Sequence, residues 1–116
     1  MPHCIIEHAS TLDSNKLVSA VFQGALASNQ FEPDGSDIKV RAISFNSYQV
    51  GSNQSKKSPS DFIHITLKIL SGRSEEQKQL LSKSVLNALN TRVRNSCEIT
   101  IEVVDIDRAS YLKAKC

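Results

Sequence analysis

A chain of 116 residues, 40% hydrophobic and 22% charged, has the makeup of a single folded domain, taken here as residues 1–116. Its 14 basic and 12 acidic side chains leave a net charge of +2, too mild to indicate nucleic acid, and no basic run is interleaved with aromatics. No stretch reaches the roughly 18 apolar residues of a membrane span, and no apolar signal-type segment opens the chain, so a cytoplasmic address with no membrane partner is expected.

The opening MPHCIIEHA reads as a strand from Pro2, with Cys4, Ile6 and His8 alternating against His3, Ile5 and Glu7. Proline has no N–H for a sheet ladder, so the first residue of a strand is one of its few comfortable places. The following TLDSNKLVSAVFQGALASN has helical spacing. Val18, Val21, Phe22, Ala25 and Leu26 form its apolar stripe behind caps at Asp13 and Ser14, and Gly24 weakens it by about 1 kcal/mol relative to alanine. EPDGSD is a turn cluster built on Pro33 and Gly35. A second strand, DIKVRAISFNSY, sets Ile38, Val40 and Ala42 against Lys39, Arg41 and Ile43.

QVGSNQSKKSPS is polar and aperiodic, an exposed loop. DFIHITLKIL alternates cleanly, Ile63, Ile65, Leu67 and Ile69 against Phe62, His64, Thr66 and Lys68. Gly72 breaks the chain before SEEQKQLLSKSVLNALNTRV, a helix with a Ser74–Gln77 capping box, Glu75 and Glu76 at its positive start, and a stripe of Leu81, Val85, Ala88 and Leu89. Arg92 and Arg94 stand near its end. CEITIEVVDI is the fourth strand, and the tail RASYLKAKC is too short to assign. The order β-α-β, β-α-β predicts an α/β (α+β) domain, a four-stranded sheet with both helices on one face. The other face, bearing Phe62, His64, Thr66 and Lys68, is semi-polar and expected to meet another subunit.

Two features carry chemistry. Methionine followed by proline is usually removed, which would turn Pro2 into a free secondary amine. Chain-terminal amines titrate near 7.7–8.0, and burial or nearby cations lower that value, so such a proline suits a general base at neutral pH; equally, Pro2 fits as an ordinary strand-opening residue. Arg73, in a Gly-Arg-Ser turn between strand and helix, is placed to present its guanidinium outward to a carboxylate or phosphate, or to water as a plain turn residue. Lys39 and Arg41 share a strand face and make one positive wall of a pocket, a subunit contact or a solvated edge. His64 reads as a packed, hydrogen-bonded histidine. His3 and His8 lie on opposite faces, and no His/Cys/carboxylate cluster has metal-ligand spacing, so no metal is expected. Cys4, Cys97 and Cys116 fit reduced thiols, the first two as small apolar residues in strands.

Together MPHCIIEH, the FEPDG turn leading into DIKVRA, and above all DFIHITLKILSGRSEEQK resemble the tautomerase superfamily and, within it, the 5-carboxymethyl-2-hydroxymuconate isomerase family. The resemblance spans nearly the whole chain. It implies a cofactor-free homotrimer with sites between neighbouring subunits, acting on a small-molecule carboxylate. Pro2 matches the catalytic base and Arg73 the arginine of the family's Gly-Arg-Ser turn. The family's second-strand Ile-Arg-x-Arg run reads Ile38-Lys39-Val40-Arg41 here, so the working cation is either Lys39 or Arg41, and lysine lacks the bidentate fork. Rival expectations are another proline-based reaction, such as phenylpyruvate tautomerisation or hydrolytic dehalogenation, and a non-catalytic trimeric binding protein.

Overall fold

The computed structural model describes residues 1–52, 61–93 and 96–116. Most of the expected polar loop (residues 53–60) and Arg94 lie outside the described residues. The elements follow as β1 (Pro2–Ala9), α1 (Ser14–Ala27), β2 (Lys39–Phe45), β3 (Asp61–Leu70), α2 (Glu75–Asn90) and β4 (Cys97–Ile106). They form one sheet in the order β2-β1-β3-β4. The two outer pairs, β1 with β2 and β3 with β4, are parallel, each joined by a crossover helix, whereas the central pair β1 and β3 is antiparallel.

Alternation decides which face each strand buries. Cys4, Ile6, Ile63, Ile65, Leu67 and Ile69 have no exposure and meet Leu17, Ala20, Val21 and Ala25 of α1 and Leu81, Val85 and Leu89 of α2. β3 reads as a row of apolar residues because it is central and its inner face lies fully under the helices. Both helix starts are capped as the sequence indicates. Asp13 accepts from the amides of Asn15 (2.9 Å) and Lys16 (3.4 Å), and Ser74 and Gln77 close a reciprocal capping box.

The buried stripe of α1 is rotated from the expected one. Leu17, Ala20, Val21, Gly24 and Ala25 are buried, while Val18, Phe22 and Leu26 pack at the margin. Ala88 of α2 is likewise only half-buried. The cause is a close helix crossing through Gly24, where Ser84 donates its hydroxyl to the Gly24 carbonyl at 2.6 Å. A Cβ on Gly24 would stand 2.7 Å from Val85 Cα and 3.0 Å from the Ser84 carbonyl oxygen. Gly24 is thus a contact point of the helix pair rather than merely a weak helix former. Phe22, displaced from the helix–helix seam, packs beneath Gly35, whose φ of 73° and close approach to the ring admit no side chain.

The tail is placed by its side chains. Arg108 donates from Nε and Nη2 to the Ser71 carbonyl at 3.0 and 2.9 Å, and Tyr111 Oη reaches His3 Nε2 at 3.0 Å. Residues beyond β4 therefore turn back over the C-terminal end of β3 toward the start of β1.

Gly24→Ala is expected to destabilise the domain. The helix-propensity gain of about 1 kcal/mol is outweighed by backbone overpacking, which costs about 1–3 kcal/mol. A lower urea midpoint checks this, and a raised midpoint would mean that α2 can retreat freely.

Candidate active site

β1 brings Pro2 to one end of the sheet, opposite Ile69 of β3, with the pyrrolidine ring fully buried. One residue upstream, the amine of Met1 is 3.0 Å from Asp37 Oδ2, both groups largely shielded from water. Asp37 is held from its other oxygen by the amide of Glu32 at 3.1 Å, inside the turn that carries the chain into β2. Burial alone would raise the Asp37 carboxyl. The hydrogen bond from the amine, the Glu32 amide and the amine's charge outweigh it and hold the group below the usual carboxylate range.

The strand register arrays side chains in rows across the open face. At the Pro2 end the row is Lys39, His3, Lys68 and Val104, followed by Arg41, Ile5, Thr66 and Glu102, then Ile43, Glu7, His64 and Thr100. Cations therefore gather at the proline end and carboxylates toward the β4 side. Lys39 Nζ lies 3.7 Å from the Met1 sulfur, so its ammonium borders the space immediately ahead of Pro2. Arg41 Nη1 lies 3.3 Å from His3 Nδ1. His3 is pushed below its ordinary pKa of 6.5, first by burial and then by Arg41, Lys39, Lys68 and the terminal amine.

Arg73 departs from the outward-facing expectation. It lies at the same end of the sheet, four residues beyond Ile69, yet its Nη2 donates to the Gln30 carbonyl at 3.0 Å and its guanidinium carbon lies 5.1 Å from the centroid of the Phe31 ring. The cause is tertiary: the segment after α1 offers an acceptor and an aromatic face together, a better partner than water for a half-buried guanidinium. The structure thus sets Lys39 and Arg41 on the open face of β2, Pro2 at the head of β1 with its ring on the helix face, and Arg73 against the α1–β2 connection.

Other candidates resolve simply. His64 is hydrogen-bonded at both nitrogens, to Thr100 Oγ1 at 2.7 Å and Glu102 Oε2 at 2.6 Å. His8 is buried on the helix face, joining the Ala9 carbonyl (2.7 Å) to Ser14 Oγ (2.8 Å), and so ties the end of β1 to the start of α1. Burial pushes the Cys4 thiol up to about 12; burial with the charges of Asp61 and Glu98 takes Cys97 to about 11, so both remain protonated packing residues. No group of three metal-ligating side chains gathers among the described residues. A concavity of about 830 Å³ opens at the far end of β1, between Asp13 and Lys16 of the α1 start and Arg92 after α2. The one carboxylate in its lining, Asp13, is engaged as the α1 cap.

Asp37, His3 and Tyr111 are the residues that sequence reasoning missed. Asp37 lies in the turn cluster, and His3 reads from sequence only as a strand residue on the face opposite His8. The one signal for Tyr111 was an aromatic in an otherwise polar tail.

A four-stranded mixed sheet in β-α-β-β-α-β order, backed by two helices and opened by proline, defines a tautomerase-type domain. The chain belongs to the 5-carboxymethyl-2-hydroxymuconate isomerase family, an isomerase family whose model matches residues 2–114. Among solved structures, a 5-carboxymethyl-2-hydroxymuconate isomerase from Deinococcus radiodurans R1 is similar over 99% of this chain and 90% of that one, with a TM-score of 0.69 and 20% identity. A 5-carboxymethyl-2-hydroxymuconate delta-isomerase matches over 100% and 88%, with a TM-score of 0.67 and 18% identity. A fused 4-OT protein described as a symmetric trimer matches over 97% and 91%, with a TM-score of 0.69 and 10% identity. At these identities the likeness is one of fold. No curated protein sequence matches the chain.

In protein that carries Met1, the lowered Asp37 pKa stabilises the fold above the ordinary carboxyl value of about 4 and is lost as pH falls through the folded value. Asp37→Asn should therefore lower the urea midpoint at neutral pH, with the gap to the native chain closing under acid. A gap independent of pH would show that the ion pair contributes nothing.

Proposed function

We propose that this isomerase moves a proton, without a cofactor, on an unsaturated 2-hydroxy or 2-oxo di- or tricarboxylate of the 5-carboxymethyl-2-hydroxymuconate type, with Pro2 as general base. Loss of Met1 converts the Pro2 nitrogen from an amide into a secondary amine. Lys39, Arg41, Lys68 and the buried setting of the ring disfavour the charged form of that amine, which leaves it able to accept a proton near neutral pH. The amine takes a proton from the 2-hydroxyl of the dienol, or from the carbon beside the carbonyl of the keto form, and returns it to another carbon along the conjugated system. Lys39 and Arg41 hold substrate carboxylates and stabilise the dienolate formed between the two transfers, fixed charge where charge develops. Arg73 is the further carboxylate ligand, reached when an acid group displaces the Gln30 carbonyl.

The observation that carries this reading is the position of Lys39 beside Met1: once the methionine is gone, a cation borders the space ahead of the proline nitrogen. The open face supports a homotrimer with sites between subunits. Ile43 is half-exposed on that face, and opposite charges gather at its two sides. A cytoplasmic address and a role in aromatic-compound breakdown, as in 4-hydroxyphenylacetate degradation, fit the same reading.

One observation favours a second reaction. Arg73 is engaged with Gln30 and Phe31, so a monoacid held by Lys39 and Arg41 alone suits the face as it stands, as in phenylpyruvate tautomerisation or hydrolytic dehalogenation. Turnover of a muconate diacid beside that of a monoacid separates the two, and preference for the monoacid removes the first.

Intact-mass measurement paired with a ketonisation assay tests the base. Protein without Met1 should be active and protein retaining it inactive. Pro2→Ala, which keeps a primary amine, should lower kcat/KM by about tenfold or more. An unchanged rate would exclude proline from the mechanism.

A further inference from the structure

His3, next to the proposed base, is held at both ring nitrogens: Nδ1 lies 3.3 Å from Arg41 Nη1 and Nε2 lies 3.0 Å from Tyr111 Oη. A guanidinium has only donors, so Nδ1 accepts from Arg41, and the ring proton sits on Nε2 and is donated to Tyr111. The tyrosine ring meets the imidazole edge-on, with centroids 6.1 Å apart and planes at 65°. The charges that act on the ring are cationic: Arg41 and Lys39 from β2, Lys68 from β3 and the amine of Met1. These charges and the burial of the ring keep the imidazole neutral. One tautomer of the neutral ring satisfies both partners: Arg41, which can only donate, fixes it, and the Tyr111 hydroxyl, able to donate or accept, accepts at Nε2 and holds the ring in place.

The tyrosine is itself fixed. Arg108, three residues earlier, forks onto the Ser71 carbonyl, and Ser110 Oγ bonds Asp107 Oδ2 at 2.8 Å. The contacts run from the end of β3 through the tail to Tyr111, then His3, then Arg41. Arg41 is exposed at the strand surface, with a long side chain of many rotamers.

We propose that His3 is a positioning residue: its unprotonated Nδ1, on a ring anchored by Tyr111, holds the Arg41 guanidinium in place for a substrate carboxylate. This rests on Arg41 being a carboxylate ligand, as proposed above. The ring itself neither touches substrate nor moves a proton.

The test compares kcat and KM for a muconate-type diacid at neutral pH in the native chain, His3→Leu, His3→Asn and Tyr111→Phe. His3→Leu should raise KM about tenfold, the size of one lost charge-assisted hydrogen bond, and leave kcat within about threefold. His3→Asn sets an amide oxygen near the place of Nδ1 and should recover most of the loss. Tyr111→Phe should raise KM less than His3→Leu and carries the test should His3→Leu fail to fold. Nitrogen chemical shifts of the His3 ring should show protonated Nε2 and bare Nδ1, a readout independent of turnover. An unchanged KM in His3→Leu, no recovery in His3→Asn, or a proton on Nδ1 overturns the proposal, with proline catalysis untouched. Absence of diacid turnover in the native chain would instead overturn the substrate reading, and the ring shifts would still decide the tautomer.

Discussion

A proline at the head of a central strand is the constraint on which the rest of the molecule depends. β1 lies between β2 and β3, a place where an interior proline would leave a ladder bond unmade. At the first position that cost disappears, and the antiparallel partner Ile69 fixes the ring in the core. Every other group at this end takes its position from that anchorage. Lys39 and Lys68 flank the next residue through the register, Asp37 sits where the chain enters β2, and Arg73 follows as β3 leaves the sheet. A scaffold of paired parallel strands about an antiparallel centre thus delivers charge from three segments to one place.

The open face is polarised. Its cations stand on β2 and β3 toward the proline end, while Glu98 and Glu102 stand on β4. Glu102 is in the row of Arg41 and Glu7 lies one row further along β1, with His64 locked between Thr100 and Glu102. Lysines and arginines two residues apart on one strand would repel one another in isolation. A neutral histidine on the neighbouring strand, opposite Lys39, accepts a hydrogen bond from Arg41 and draws its guanidinium toward β1. The low proton affinity of His3 is part of that arrangement, since a charged ring would add a further cation to a crowded row.

Much of the fold was legible in the sequence, for definite reasons. β1, β3 and β4 begin and end where the alternation does, because one face of each packs under helices and a slip of one residue would expose it. The caps at Asp13 and Ser74 were readable because they are local. The seam of α1 was misread because periodicity weights large apolar residues, whereas the close crossing at Gly24 selects small ones and turns Phe22 toward Gly35. Within the site, Lys39 and Arg41 could be placed on one face by counting. The inward turn of Arg73 depends on Gln30 and Phe31, more than forty residues away in sequence, and the Tyr111–His3 contact spans 108 positions. No local pattern encodes partners at such separations.

The three thiols are unequal in a way that has practical value. Cys4 is sealed in the core and Cys97 sits half-covered at the β4 start, both strongly resistant to ionisation, whereas Cys116 ends the chain in the open. A thiol-selective fluorophore would therefore attach at the last residue, five positions past the tyrosine that meets β1. Cys116 is the exposed handle from which movement of the segment after β4 can be followed optically, with no engineered cysteine.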